Sequence, residues 1–99
     1  MDDLVFSWDT RKNLTNQEKH FVSFEEAKTV FYDEFARLIH DPEHSEDEDR
    51  FILLGFSNQI RMLVVCHCYR EVEGVIRIIS ARKATKSEQN MYEGFRDEK

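Results

Sequence analysis

The sequence predicts an α+β domain, and three observations carry that prediction. Arg50 to Ala84 holds three apolar runs that read as strands, separated by short polar turns. The pattern Ser/Thr-x-x-Glu, which lets a hydroxyl and a carboxylate satisfy each other's backbone donors at a helix start, occurs at Ser23-Phe24-Glu25-Glu26 and at Thr85-Lys86-Ser87-Glu88. Three Gly, one Pro and eight Phe in 99 residues describe a compact chain with short turns. The resulting order of a strand, two helices, three or four antiparallel strands and a helix places the helices on one sheet face.

Each element has a local reason. Leu4 to Trp8 alternates apolar with polar residues and reads as a short first strand. Asp9 offers an N-cap to a polar helix over Thr10 to His20, whose one apolar residue is Leu14. The first capping box opens a second helix from Phe24 to about Tyr32, with Ala27, Val30 and Phe31 as its apolar stripe. Phe35 to His40 is a weaker strand that stops at Asp41-Pro42, because proline cannot donate to a ladder. An acidic loop follows to Asp49. Arg50 to Ser57, Arg61 to Arg70 and Val75 to Ala84 then form a meander, joined across Asn58-Gln59 and across Glu71 to Gly74. The second capping box starts a last helix to about Arg96, packed through Met91, Tyr92 and Phe95.

Composition narrows the function. The length suits one domain, residues 1–99, able to bury a core without disulfides or a metal. No run approaches the eighteen or so apolar residues of a membrane span, and Met1 to Trp8 has no basic leader, so a cytoplasmic protein is expected. Cys66 and Cys68 lie two apart on a strand and share a face, which disfavours a disulfide between them. With His67 sent to the opposite face, no metal site is expected. Gly-rich phosphate loops, nucleophile elbows and zincin motifs are absent, and no cofactor is called for.

The net charge of −6 is unevenly placed. Six acids and no Lys or Arg lie between Asp41 and Asp49, and the rest of the chain is neutral. Arg50 to Ser87 holds seven cations against two acids. Salt confines each charge to about 8–10 Å, so this local excess matters more to a polyanion than the overall sign. Its focus is Ile76 to Lys83, where Arg77, Arg82 and Lys83 sit on a strand that runs into a helix start. Guanidinium groups and free helix N–H groups both suit phosphate. The same cations could instead solvate a sheet edge and deter edge pairing. Strict alternation puts Arg77, Ile79, Ala81 and Lys83 on one face and Arg82 on the other, unless a bulge re-aims one of them. His67 would lie partly buried beside Leu63 and Val65, while His20, next to Lys19, is better exposed.

Trp8-Asp9, Lys12-Asn13, Lys19-His20, Val22 to Ala27, Val30-Phe31, Gly55 with Ser57, and above all Ile76 to Ala84 followed by Glu88 and Tyr92-Glu93 resemble the BrnT family of toxins. The resemblance spans nearly the whole chain. It departs at Phe21, where the family often has Gly. It implies a RelE-like fold, a metal-independent ribonuclease that blocks translation, and neutralisation by a BrnA-like ribbon-helix-helix antitoxin that alone touches operator DNA. A hetero-oligomer is the expected state. Carried over, Arg77 and Arg82 become candidates for holding phosphate charge, and His67, His20 or Lys83 for proton transfer. Lys12, Lys19, Arg50 and Arg61 become candidates for RNA binding. A relative that keeps antitoxin binding without catalysis is the alternative reading.

Overall fold

The computed structural model describes residues 4–41 and 48–97, with side chains through residue 94, so most of the expected acidic loop lies outside the described residues. Strand β1 (Phe6–Ser7) precedes helix α1 (Thr10–His20), helix α2 (Phe24–Ala27) and a 3₁₀ turn over Lys28–Tyr32. Strands β2 (Arg37–Asp41), β3 (Arg50–Phe56), β4 (Met62–Arg70) and β5 (Val75–Lys83) follow, and helix α3 (Lys86–Asp97) ends the described chain. The second helix is shorter than its pattern predicts because it tightens into the 3₁₀ turn after one α-helical turn. The five strands form one sheet in the order β1-β5-β4-β3-β2. The meander is antiparallel, whereas β1 pairs parallel with the start of β5 through Phe6 with Ile76 and Ser7 with Arg77.

Helices lie on both faces, not on one. Val22, Phe24, Ala27 and Val30 pack on Leu53, Leu63, Val65, Ile78 and Ala81. The neighbouring residues Leu54 and Val64 point the other way and receive Tyr92 of α3. Alternation along β3 and β4 thus makes both faces apolar at one end of the sheet, which is why α3 cannot join α1 and α2. Capping-box geometry is complete only at α3, where Glu88 N–H donates to Thr85 Oγ1 and Thr85 N–H to Glu88 Oε1. At α2 the Ser23 hydroxyl accepts from Glu26 N–H, but the Glu26 carboxylate turns inward to Ser57 and Arg61.

Two side chains complete sheet edges that strands leave unfinished. β1 covers only the first part of β5, and further along the Asn16 amide takes the strand's place. Its Nδ2 donates to Ala81 O at 2.8 Å and its Oδ1 accepts Ala81 N–H at 3.1 Å. The second Nδ2 proton goes to Val22 O at 2.8 Å. On the other side, β2 pairs with β3 no further than Leu54. There Asp33 accepts Phe56 N–H at 2.9 Å and the Tyr92 hydroxyl at 2.8 Å, while its other oxygen accepts Phe35 N–H. Gly55 permits that approach, since a Cβ there would lie 2.9 Å from Asp33 Oδ2.

Helix α1 ends on Phe21 in the left-handed region, with φ of 58°. The residue is 72% exposed, and its N–H closes the helix on Gln17 O. Glycine would adopt this conformation without a Cβ penalty.

Two stability measurements check these contacts. Asn16→Ala strands the N–H and C=O of Ala81 and should cost about 2 kcal/mol, lowering the melting temperature by roughly 10 °C. Phe21→Gly relieves the left-handed strain at an exposed site and should raise stability by about 1 kcal/mol in denaturant titration.

Candidate nucleic-acid interface

The decisive feature of β5 is a bulge. Cys66 faces Ser80 and His67 faces Ile78, so Ile79 is an extra residue without a partner on β4. Beyond it the alternation is reversed. Ile78 and Ala81 both belong to the core beneath α1 and α2, whereas Arg77 and Arg82, opposite Cys68 and Val64, share the other face. Strict alternation would separate these two arginines, and the inserted residue is the physical reason it fails.

On that face α3 covers only the end of the sheet around Leu54 and Val64. The uncovered part forms a groove of about 370 Å³ lined by His20, Asp41, Arg50, Ile52, Cys66, Ser80 and Arg82, among others. Arg50 enters from the first residue of β3, opposite Asp41 on β2. His20 enters from the last residue of α1, where the Asn16 anchor holds the helix against Ala81. A second cavity, of about 350 Å³, lies along α1 and shares His20, Ile79 and Ser80 with the groove. Arg11, Lys12, Thr15, Asn16 and Lys19 complete its lining.

Arg82 is engaged within the fold. Its Nη1 and Nη2 donate to Glu88 Oε1 and Oε2 at 2.8 and 2.9 Å, the bidentate geometry that guanidinium also offers to phosphate. Arg82 first, and Thr85 N–H after it, hold the Glu88 carboxyl down to about 2. Burial raises the Cys66 thiol, so it faces the groove in its protonated form.

The remaining sequence candidates lie elsewhere. Arg77 is on the groove's face of the sheet but lines neither cavity, and it interacts electrostatically with Asp9. Lys83, opposite Leu63, is on the face that α2 packs against, with its Nζ 5.9 Å from the Phe21 ring centroid. Arg61 is a structural cation: its Nε and Nη2 clasp the buried Glu26 carboxylate, and Nη2 also donates to Phe21 O. That clasp is the main cause of the lowered Glu26 pKa. His67 is 4% exposed, with Nδ1 3.1 Å from Val65 O and Phe31 edge-on at 4.7 Å. Burial lowers its pKa. It lines a separate apolar cavity of about 530 Å³ with Phe31, Leu38, Phe51, Tyr69 and Ile76. The structure therefore gathers His20, Arg50 and Arg82, with Lys12 and Lys19 adjoining, and separates them from His67, Arg61 and Lys83.

Sequence reasoning missed Arg11, Thr15, Asn16 and the second role of Glu88. The first three were detectable, because Arg11-Thr15-Lys19 and Lys12-Asn16-His20 are rows of four-residue spacing on one helix face. Among the described residues no three His, Cys, Asp or Glu side chains come together as a metal site, and no helix is long and apolar enough to cross a membrane.

Fold and site together define an α+β domain whose bulged strand carries a groove lined by His20, Arg50 and Arg82 together with Asp41. The particular family follows from comparison. Residues 8–88 match the model of the ribonuclease toxin BrnT of type II toxin-antitoxin systems, and the chain belongs to that family. In structure it is similar to the Brucella abortus ribonuclease toxin BrnT, with a TM-score of 0.63 and 23% identity over 85% of this chain and 100% of that one. Comparison with curated proteins finds no match.

The Arg82–Glu88 pair makes a pH prediction. A carboxyl whose folded pKa is about 2, below its ordinary 4.5, contributes stability in full above about 4.5 and loses it as pH falls toward about 2. Glu88→Gln should therefore melt below the wild type near neutrality. The gap should close across that acid window in thermal scans.

Proposed function

We propose that the chain is a metal-independent endoribonuclease acting in the groove between α1 and the bulged strand. The observation that carries this reading is the meeting of His20, Arg50 and Arg82 in one groove of a chain whose net charge is −6. Cleavage through the ribose needs a base for the 2′-OH proton, cations for the charge that develops on phosphate, and an acid for the departing oxygen. The 2′-oxygen attacks the adjacent phosphorus, the bond to the 5′-oxygen breaks, and a cyclic phosphate and a 5′-hydroxyl result. His20 is assigned proton transfer at the groove wall, and Arg50 and Arg82 the phosphate oxygens. For Arg82 this requires exchange of the Glu88 carboxylate for phosphate, two ligands with matching bidentate geometry.

In this reading the target is cellular RNA, cleavage halts translation in the cytoplasm, and a BrnA-like ribbon-helix-helix antitoxin holds the toxin in a hetero-oligomer. Operator DNA is contacted through the antitoxin alone. Family membership supports an antitoxin partner, and the resemblance at Ile76 to Ala84 supports the finer assignment. The Glu88 clasp on Arg82 favours a second reading, in which the chain retains antitoxin binding without cleavage.

Purified protein should cut single-stranded RNA in the presence of a metal chelator. His20→Ala and Arg50→Ala, each folded by circular dichroism, should cut it at least about tenfold more slowly. Unchanged rates in both variants would remove the groove assignment. Absence of cleavage by the wild type, with normal growth when it is induced without antitoxin, would establish the second reading.

A further inference from the structure

We infer that the cavity along α1 is a second phosphate subsite, which holds the backbone of single-stranded RNA outside the cleavage groove. The inference rests on the nuclease reading and adds the path of the substrate. Three observations support it. First, α1 presents Arg11, Thr15 and Lys19 in one four-residue row beside Lys12 and His20 in the next, and this face lines a cavity of about 350 Å³ with no acidic residue in its lining. Second, Arg61 and Arg82 are neutralised within the fold, by Glu26 and Glu88. Among the described residues no carboxylate forms an ion pair with Arg11, Lys12 or Lys19. Like charges adjacent on a helix repel one another, and an anionic ligand removes that repulsion. Third, the cavity and the groove share His20, Ile79 and Ser80, so the bulge is the common wall of the two sites.

Register between the subsites is set by Asn16. Its amide pins α1 to Ala81, one residue beyond Ser80, while the residues on either side of it along the helix carry the cationic rows. A strand passing from the groove over the bulge would therefore meet Arg11, Lys12 and Lys19 at a fixed distance from the cleavage point. Contacts of this kind position the chain and read no sequence. The occupant is a single strand, the substrate of the nuclease reading.

The test combines binding and steady-state kinetics on an RNA oligonucleotide of about twelve nucleotides. In the triple variant Arg11→Gln, Lys12→Gln, Lys19→Gln, the slope of log affinity against log salt should become shallower by about 2, because each cation that neutralises a single-strand phosphate accounts for about 0.7. KM should rise about tenfold with kcat held, and Lys28→Gln on the 3₁₀ turn should leave the salt slope unchanged. An unaltered slope, or a fall in kcat with KM held, overturns the subsite while leaving the nuclease reading intact. A wild type that binds the oligonucleotide but never cuts it, with the slope still shallower in the triple variant, overturns the nuclease reading alone. A wild type that neither binds nor cuts overturns both.

Discussion

The arrangement depends on how the sheet ends. β5 runs for nine residues but has a partner strand on its outer side for only two of them, because β1 is that short. A backbone N–H and C=O buried without partners would cost more than most side-chain contacts return. The Asn16 amide supplies a donor and an acceptor at the spacing of a peptide group, and thereby welds α1 to the strand at Ala81. Asp33 has the corresponding role at the far edge, where it accepts Phe56 N–H beyond the end of β2 and receives the hydroxyl of Tyr92 from α3. The two faces of the sheet are thus registered to their helices by single polar side chains, and the apolar cores are assembled around them.

From that weld the site follows. With α1 held at Ala81, its last residue, His20, reaches the bulge, and its cationic rows flank it. The bulge in turn decides which face each charge occupies. Without Ile79 as an extra residue Arg77 and Arg82 would fall on opposite faces; with it, both point away from the core formed by Val22, Phe24, Ala27 and Val30. The strand end must then be fastened by α3, and the fastening is Glu88, which caps its own helix and holds Arg82 with the same carboxylate. The carboxylate holds the Arg82 guanidinium in a fixed orientation, in the bidentate geometry that phosphate also offers.

Much of the fold is legible in the sequence. The capping residue Asp9, the start of α2 at Ser23, the meander and the start of α3 at Lys86 rest on local chemistry, and they stand within a residue or so of where the pattern puts them. The identity of the cationic strand is legible for the same reason, since Ile76 to Lys83 is both β-branched and basic. The site is legible only in part. His20, Arg50 and Arg82 stand out by residue type, but so do His67, Arg61 and Lys83, and nothing in residue type separates the two groups. Nothing in residue type shows that Arg61 is spent on Glu26, which lies 35 residues away in sequence and is buried against it. Likewise His67 looks as suited to proton transfer as His20 until Phe31 and Phe51 enclose it.

The division has a physical basis. Caps, turns and the alternation of apolar residues are governed by interactions within a few residues, so the sequence by itself determined the fold class, the element order and the charge asymmetry, and its motifs carried the family resemblance. Which face a charge occupies depends on an inserted residue that shifts the strand's parity, and whether a charge is available depends on a carboxylate brought from a distant segment. Those two outcomes, the shared face of Arg77 and Arg82 and the engagement of Arg61 and Arg82 by Glu26 and Glu88, were decided by tertiary structure alone, because only folding sets the distances at which such groups pair.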